Sequence, residues 1–148
     1  MKDCDGSVFC SVPSFSLVVF IGLQASGKTT FFRQRFAETH AHVSKDNFRN
    51  ARHRDQRQLR LLEDALRAGN GIVLDNTDPA REDRALAIAK AKELGAAIVG
   101  FYFESRVATC RERNALRDGT ARVPEVALRS TAARLERPRL DEGFSRLW

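Results

Sequence analysis

With 148 residues, 43% of them hydrophobic and 30% charged, the chain is sized for one globular core that buries roughly two-thirds of its unfolded surface, and no second domain is expected. The formal charge of +6 comes from 25 basic against 19 acidic side chains; 20 of the basic ones are arginine, which suits bidentate contact with phosphate, although a GC-rich coding sequence inflates arginine in the same way. Cys4, Cys10 and Cys110 are odd in number and lack a C-x-x-C spacing, and the longest apolar run, Phe15 to Leu23, is far below the ~20 residues that cross a bilayer, so no disulfide framework, structural zinc site or membrane anchor is expected and a reducing, cytoplasmic setting is.

Residues 1–14 carry Gly6, Pro13, serines and two cysteines without periodicity and read as a loose N-terminal arm, leaving 15–148 as one domain. Leu17-Val18-Val19-Phe20-Ile21 is an unbroken apolar run ended by Gly22, the pattern of a strand buried on both faces of a parallel sheet. From Gly27 to Glu38, Phe31, Phe32 and Phe36 recur at helical spacing. His42-Val43-Ser44 is a short strand candidate, followed by Asp46 and by a helix from about Arg54 to Ala68 that carries Leu59, Leu62 and Leu66 on one face and ends at Gly69.

Ile72-Val73-Leu74 runs into Asp75, and Pro79 is placed in the first turn of a helix lined by Leu86, Ile88, Ala89 and Leu94 and stopped at Gly95. Ala97 to Phe103 is a further strand. A helix over about Arg106–Arg117, the turn Asp118-Gly119 and a helix opened by Pro124 and carrying Val126, Leu128 and Leu135 follow; Phe144 to Trp148 is either an edge strand or a docked end. Strands alternating with helices predict an α/β fold, a doubly wound parallel sheet of about four to five strands with flanking helices and an arginine-bearing lid.

Gly22-x-x-x-x-Gly27-Lys28-Thr29 matches the P-loop pattern and lies between a buried strand and a helix start, where its chemistry requires it. Gly22, Ala25, Ser26, Gly27 and Thr30 complete a loop whose backbone N–H groups cradle a β-phosphate; Lys28 bridges the β- and γ-phosphates, and Thr29 offers a hydroxyl to magnesium. ATP and Mg²⁺ are therefore the expected cofactors, and transfer of the γ-phosphate to a hydroxyl is the expected reaction. Ile72-Val73-Leu74-Asp75 has the form of the second nucleotide motif, with Asp75 either assisting the metal or capping the loop Asn76-Thr77-Asp78-Pro79.

Gly22 to Thr30, Val43-Ser44-Lys45-Asp46-Asn47-Phe48-Arg49, Leu74-Asp75-Asn76-Thr77 and Arg113-Asn114-Ala115-Leu116-Arg117 together resemble the 5′-kinase domain of polynucleotide kinases, within the AAA and zeta-toxin-like small P-loop kinases, over residues 16 to about 135. The resemblance implies that Asp46 is the general base, that Arg49 grips the acceptor's phosphate, and that Arg113 and Arg117, with Arg122 as a further candidate, stabilise charge on the transferring phosphoryl. Independently, a carboxylate at the C-terminal edge of a strand beside the P-loop is within reach of an incoming hydroxyl, and aspartate also caps helices well. Arg113 and Arg117, spaced by one helical turn, share a face on this reading, as an arginine-rich solvated helix would also show.

Arg49, Arg52, His53, Arg57 and Arg60 recur at three- or four-residue steps and draw a basic stripe, either a track for a nucleic-acid backbone or a plain surface. A nucleic-acid 5′-hydroxyl end is the leading acceptor. The alternatives are a small-molecule kinase on the same scaffold and a non-enzymatic ATP-binding switch.

Overall fold

The computed structural model describes residues 12–148. Strand β1 (Ser16–Ile21) is buried along its whole length because successive side chains enter two different layers. Leu17, Val19 and Ile21 face one, with Leu62, Leu66, Ala87, Ile88 and Ala91; Val18 and Phe20 face the other, with Phe32 and Phe36. Phe20 is met edge-on by Phe36, Phe101 and Phe103 at ring-centroid separations of 5.3 to 6.0 Å, the preferred aromatic geometry.

The remaining strands are β2 (His40–Val43), β3 (Gly71–Asp75), β4 (Ala97–Tyr102) and β5 (Arg146–Leu147). All pair in parallel in the order β2-β3-β1-β4-β5, so β1 is central and β3 and β4 flank it. The C-terminal residues therefore form a short edge strand, and Trp148 continues its pairing with an N–H to the Gly100 carbonyl and a carbonyl to the Tyr102 N–H. The helices are α1 (Lys28–Arg35), α2 (Arg54–Arg67), α3 (Arg81–Glu93), α4 (Val107–Ala115) and α5 (Glu125–Arg134). Helices α2 and α3 supply one layer and α1 the other, while Leu23, Cys110 and Leu128 form a third cluster that seats the loop after β1 on α4 and α5.

Several expectations move. Helix α1 ends at Arg35 instead of Glu38, and β2 starts at His40, two residues before the expected strand, because its pairing with β3 begins at His40 opposite Gly71; the buried His40 also places its Nε2 3.0 Å from Ser16 Oγ. Pro79 lies outside α3, whose N-cap is Ala80. The buried side of α3 is Arg84, Ala87, Ile88 and Ala91, and the expected Leu86 and Ala89 are exposed. On α5, Val126 is exposed and Leu128 is buried. Of the expected N-terminal arm, residues 1–11, with Cys4 and Cys10, lie outside the described residues; Pro13 accepts a hydrogen bond from Ser16 Oγ at 2.7 Å. Cys110 is a free, buried thiol, and no helix among the described residues is long and apolar enough to cross a membrane.

Candidate active site

The parallel sheet sends the C-terminal ends of β1, β2 and β3 to one edge, where ligands of open α/β sheets bind. The turn after β1 is tight. A Cβ on Gly22 would stand 2.9 Å from Phe103 Cβ, so no larger residue fits, and Gly27 takes φ of 98°, a left-handed value that glycine adopts freely. Ala25 also has a positive φ, of 61°. Gly27 is the N-cap of α1 without a side-chain cap, and the first turn holds no acidic residue, so the loop delivers helix N–H groups and the positive end of the helix dipole to the edge.

Lys28 is buried and its Nζ donates to the carbonyls of Gly22 (2.9 Å) and Leu23 (2.6 Å) and to Ser26 Oγ (3.3 Å). Burial lowers its pKa to about 8, with the charges of Asp75 and Asp78 pulling the other way and that of Arg117 adding to the lowering. Thr29 Oγ1 donates to Asp75 Oδ2 at 2.6 Å, so the hydroxyl of the loop and the carboxylate at the end of β3 meet directly. Both are hard oxygen donors, the chemistry that suits a magnesium ion held by few protein groups. His42, at 3.0 Å from the same oxygen, joins them.

Asp46 lies in the 3-10 turn Lys45–Phe48 after β2. The N-cap of that turn is Ser44, whose Oγ accepts from the Asp46 N–H at 3.3 Å, so Asp46 is not the capping residue and its carboxylate stays exposed. The turn is pinned from beneath: buried Gln58 of α2 accepts from Asn76 Nδ2 at 2.7 Å, and Asn76 Oδ1 accepts from the Lys45 N–H at 3.0 Å. Arg49 pairs with Asp46 at 3.4 Å and reaches across to donate to the Thr120 carbonyl at 2.7 Å. Arg49 thus connects the turn that carries Asp46 with the segment expected to form the lid.

That segment is a 3-10 turn, Gly119–Ala121. Its base is fixed by Asn114, buried in α4, whose amide donates to the Val123 carbonyl at 2.7 Å and accepts from the Val123 N–H at 2.9 Å. Because α4 stops at Ala115, Arg113 stands in its last turn and Arg117 beyond its end, and the two do not share one continuous helical face as the spacing predicted. Arg117 Nη1 is 3.5 Å from the Ala121 carbonyl; Arg113 and Arg122 are exposed. The basic stripe is also interrupted: Arg49, Arg52 and His53 precede α2, only Arg57 and Arg60 lie on it, and Arg57 stacks over Phe48 at 5.4 Å.

Gly22, Ala25, Ser26, Gly27, Lys28, Thr29, Thr30 and Asp75 are therefore grouped at the loop and the end of β3, and Asp46 and Arg49 stand on the turn after β2, which β3 separates from β1, so, against expectation, the strand before Asp46 is not the immediate neighbour of the P-loop strand. Sequence reasoning missed His42, Asp78, Arg84 and Gln24. Asp78, in the loop after β3, is buried with a positive φ of 36°, and burial pushes its carboxyl up to about 7 against the pull of Lys45. Gln24 Nε2 donates to Thr131 Oγ1 of α5 at 2.9 Å, tying the loop to α5.

Fold and loop geometry together define a P-loop kinase domain. A family model described as an AAA domain matches residues 17–138, and the chain belongs to that family. It is 26% identical over 133 residues to the bifunctional polynucleotide phosphatase/kinase of Schizosaccharomyces pombe, an alignment that takes in 87% of this chain and 32% of that protein, so the chain spans about a third of that relative's length. Among solved structures, Kti12 from Chaetomium thermophilum, in complex with ADP-AlF3, superposes with a TM-score of 0.66 at 21% identity, covering 89% of this chain and 87% of its own. A gluconokinase from Sinorhizobium meliloti 1021 does so with a TM-score of 0.60 at 21% identity, covering 90% and 80%. At these identities the two structures share the fold.

Proposed function

We propose that this chain transfers the γ-phosphate of ATP to the 5′-hydroxyl end of a polynucleotide. The observation that carries the acceptor assignment is Arg49: one guanidinium pairs with Asp46 and hydrogen-bonds the Thr120 carbonyl, so an exposed carboxylate, an arginine and the lid segment converge after β2, on the sheet edge that also carries the P-loop. The similarity to a polynucleotide phosphatase/kinase supports the same acceptor, while the fold shared with a gluconokinase leaves a small polyol as the competing one.

On this reading the loop from Gly22 to Thr30 binds the nucleotide's phosphates, and Lys28 holds the β- and γ-phosphates. Thr29 and Asp75 would hold Mg²⁺, which supplies charge neutralisation on the phosphate oxygens when bound. Asp46 accepts the proton of the acceptor hydroxyl as its oxygen bonds to the γ-phosphorus; the bond to the β-γ bridging oxygen breaks and ADP leaves. Arg49 orients the acceptor through its phosphate, and Arg117, with Arg113, stabilises charge on the transferring group. Exposed Arg52, Arg54, Arg57 and Arg60, though they form no unbroken stripe, add positive charge that would favour backbone phosphates and make binding salt-dependent.

The substitution that tests this reading is Asp46→Asn. Its transfer to a 5′-hydroxyl oligonucleotide should fall by about 10²-fold or more, the range of a lost general base, with nucleotide affinity unchanged in a fluorescent-ADP titration. Wild-type transfer by this variant would remove Asp46 from the chemistry.

A further inference from the structure

The carboxylate of Asp75 is held from two sides. Thr29 Oγ1 donates to its Oδ2 at 2.6 Å, and His42 Nε2 stands 3.0 Å from the same atom. A carboxylate only accepts, so the His42 contact requires the proton on Nε2 and defines the tautomer by its partner. The imidazole cannot swing freely, because its ring lies against Phe32 of α1, centroids 4.3 Å apart and tilted by 34°. Phe32 is buried, and the Asp75 side chain is only 3% exposed while that of His42 is 24% exposed. His42 comes from the second-to-last register position of β2 and Asp75 from the end of β3, so the parallel pairing of these strands brings the two together.

We infer that His42 is a positioning residue for the metal carboxylate: its Nε2–H and its packing on Phe32 fix the plane in which Asp75 faces Thr29. This inference rests on the metal role proposed above for Asp75. It follows from a general property of metal sites, in which ligating carboxylates are themselves hydrogen-bonded and the outer partner sets the geometry in which they meet the ion. A carboxylate with one of two donors removed keeps its charge but gains rotational freedom about χ2, so the ion meets it oriented only part of the time. His42 touches neither nucleotide nor acceptor on this assignment, and its loss should act on metal affinity before it acts on nucleotide affinity.

The test uses the full chain with ADP and Mn²⁺ as the probe ion, and reads free Mn²⁺ by its electron paramagnetic resonance signal. His42→Phe keeps a ring against Phe32 and removes the donor; His42→Gln returns an N–H near the Nε2 position. His42→Phe should weaken Mn²⁺ binding about 10-fold or more, the range found for outer-shell partners, with an unchanged melting temperature and unchanged metal-free ADP binding, and His42→Gln should recover most of the loss. Asp75→Asn serves as the reference. Wild-type Mn²⁺ affinity in His42→Phe beside weakened affinity in Asp75→Asn would overturn the role of His42 alone, whereas wild-type affinity in Asp75→Asn would overturn the metal role of Asp75 and this inference with it.

Discussion

Burial raises the Asp78 carboxyl from an ordinary value of 3.8 to about 7, with Lys45 opposing, Asn76 hydrogen-bonding it and Arg84 close by. A carboxyl whose folded-state pKa lies above its unfolded value stabilises the fold fully below about pH 4 and loses that contribution as pH rises through about 7. The side chain also sits on backbone of positive φ, which asparagine tolerates at least as well as aspartate. Asp78→Asn should therefore raise the melting temperature at pH 8 by several degrees and change it little at pH 5, measured by circular dichroism at the two pH values; an equal effect at both would show that Asp78 is not titrating. At this scale the P-loop was legible in the sequence because its geometry is local: Gly22, Gly27, Lys28 and Thr29 sit within eight residues. His42 and Asp78 were not. His42 meets Asp75 across 33 positions of chain, and nothing in its own neighbourhood marks it as facing a carboxylate.

Helix α3 shows how an element can be recognised while its inward face is misread. An apolar reading points Leu86 and Ala89 at the core, yet Arg84, 1% exposed, turns inward beside Ala87, Ile88 and Ala91. Its guanidinium grips Glu142 through two hydrogen bonds of 2.7 and 2.8 Å, and its Nη1 donates to the carbonyls of Asp78 and Pro79 at 3.0 and 3.1 Å. The partner is 58 residues away, so no periodicity window could contain both. Burial pushes the Glu142 carboxyl up, but the Arg84 hydrogen bonds, the Arg139 N–H and the Arg84 and Arg81 charges together outweigh it and hold it below the ordinary range, so these contacts stabilise the fold above about pH 4.5 and weaken as pH falls through the folded-state value. Arg84→Met leaves Glu142 buried without its partner and should cost about 3–5 kcal/mol, a fall of about 10 °C in melting temperature. Adding Glu142→Leu should return much of that loss, because the uncompensated charge is then gone. A single variant as stable as wild type would show that the pair does not anchor the C-terminal segment to α3. The end of α4 was misplaced for a similar reason: Asn114 spends its amide on Val123, and the chain leaves the helix before Arg117.

Across the whole molecule, alternating strands and helices were sufficient to predict the doubly wound parallel sheet, because a fully apolar β1 between a glycine loop and helices has few other solutions. Strand order was outside its reach, as was the choice between an edge strand and a docked end for Phe144 to Trp148, because β5 is defined by pairing to β4 instead of by its own composition. The order bears on the proposed function: β2, β3 and β1 lie side by side, so the segments carrying Asp46, Asp75 and Lys28 follow three consecutive strands of the sheet at one edge. Arg49 then joins the β2 side to the turn Gly119–Ala121 through the Thr120 carbonyl. The most direct measurement follows the γ-phosphate itself. Purified protein, Mg²⁺ and γ-labelled ATP are offered a 5′-hydroxyl oligonucleotide, the same strand already 5′-phosphorylated, a polyol, or no acceptor, and the products are separated by thin-layer chromatography. Label on the 5′-hydroxyl strand alone is the predicted result; label on the polyol with none on any oligonucleotide would contradict the assignment of the acceptor, and no labelled product from any acceptor would contradict phosphoryl transfer to a hydroxyl.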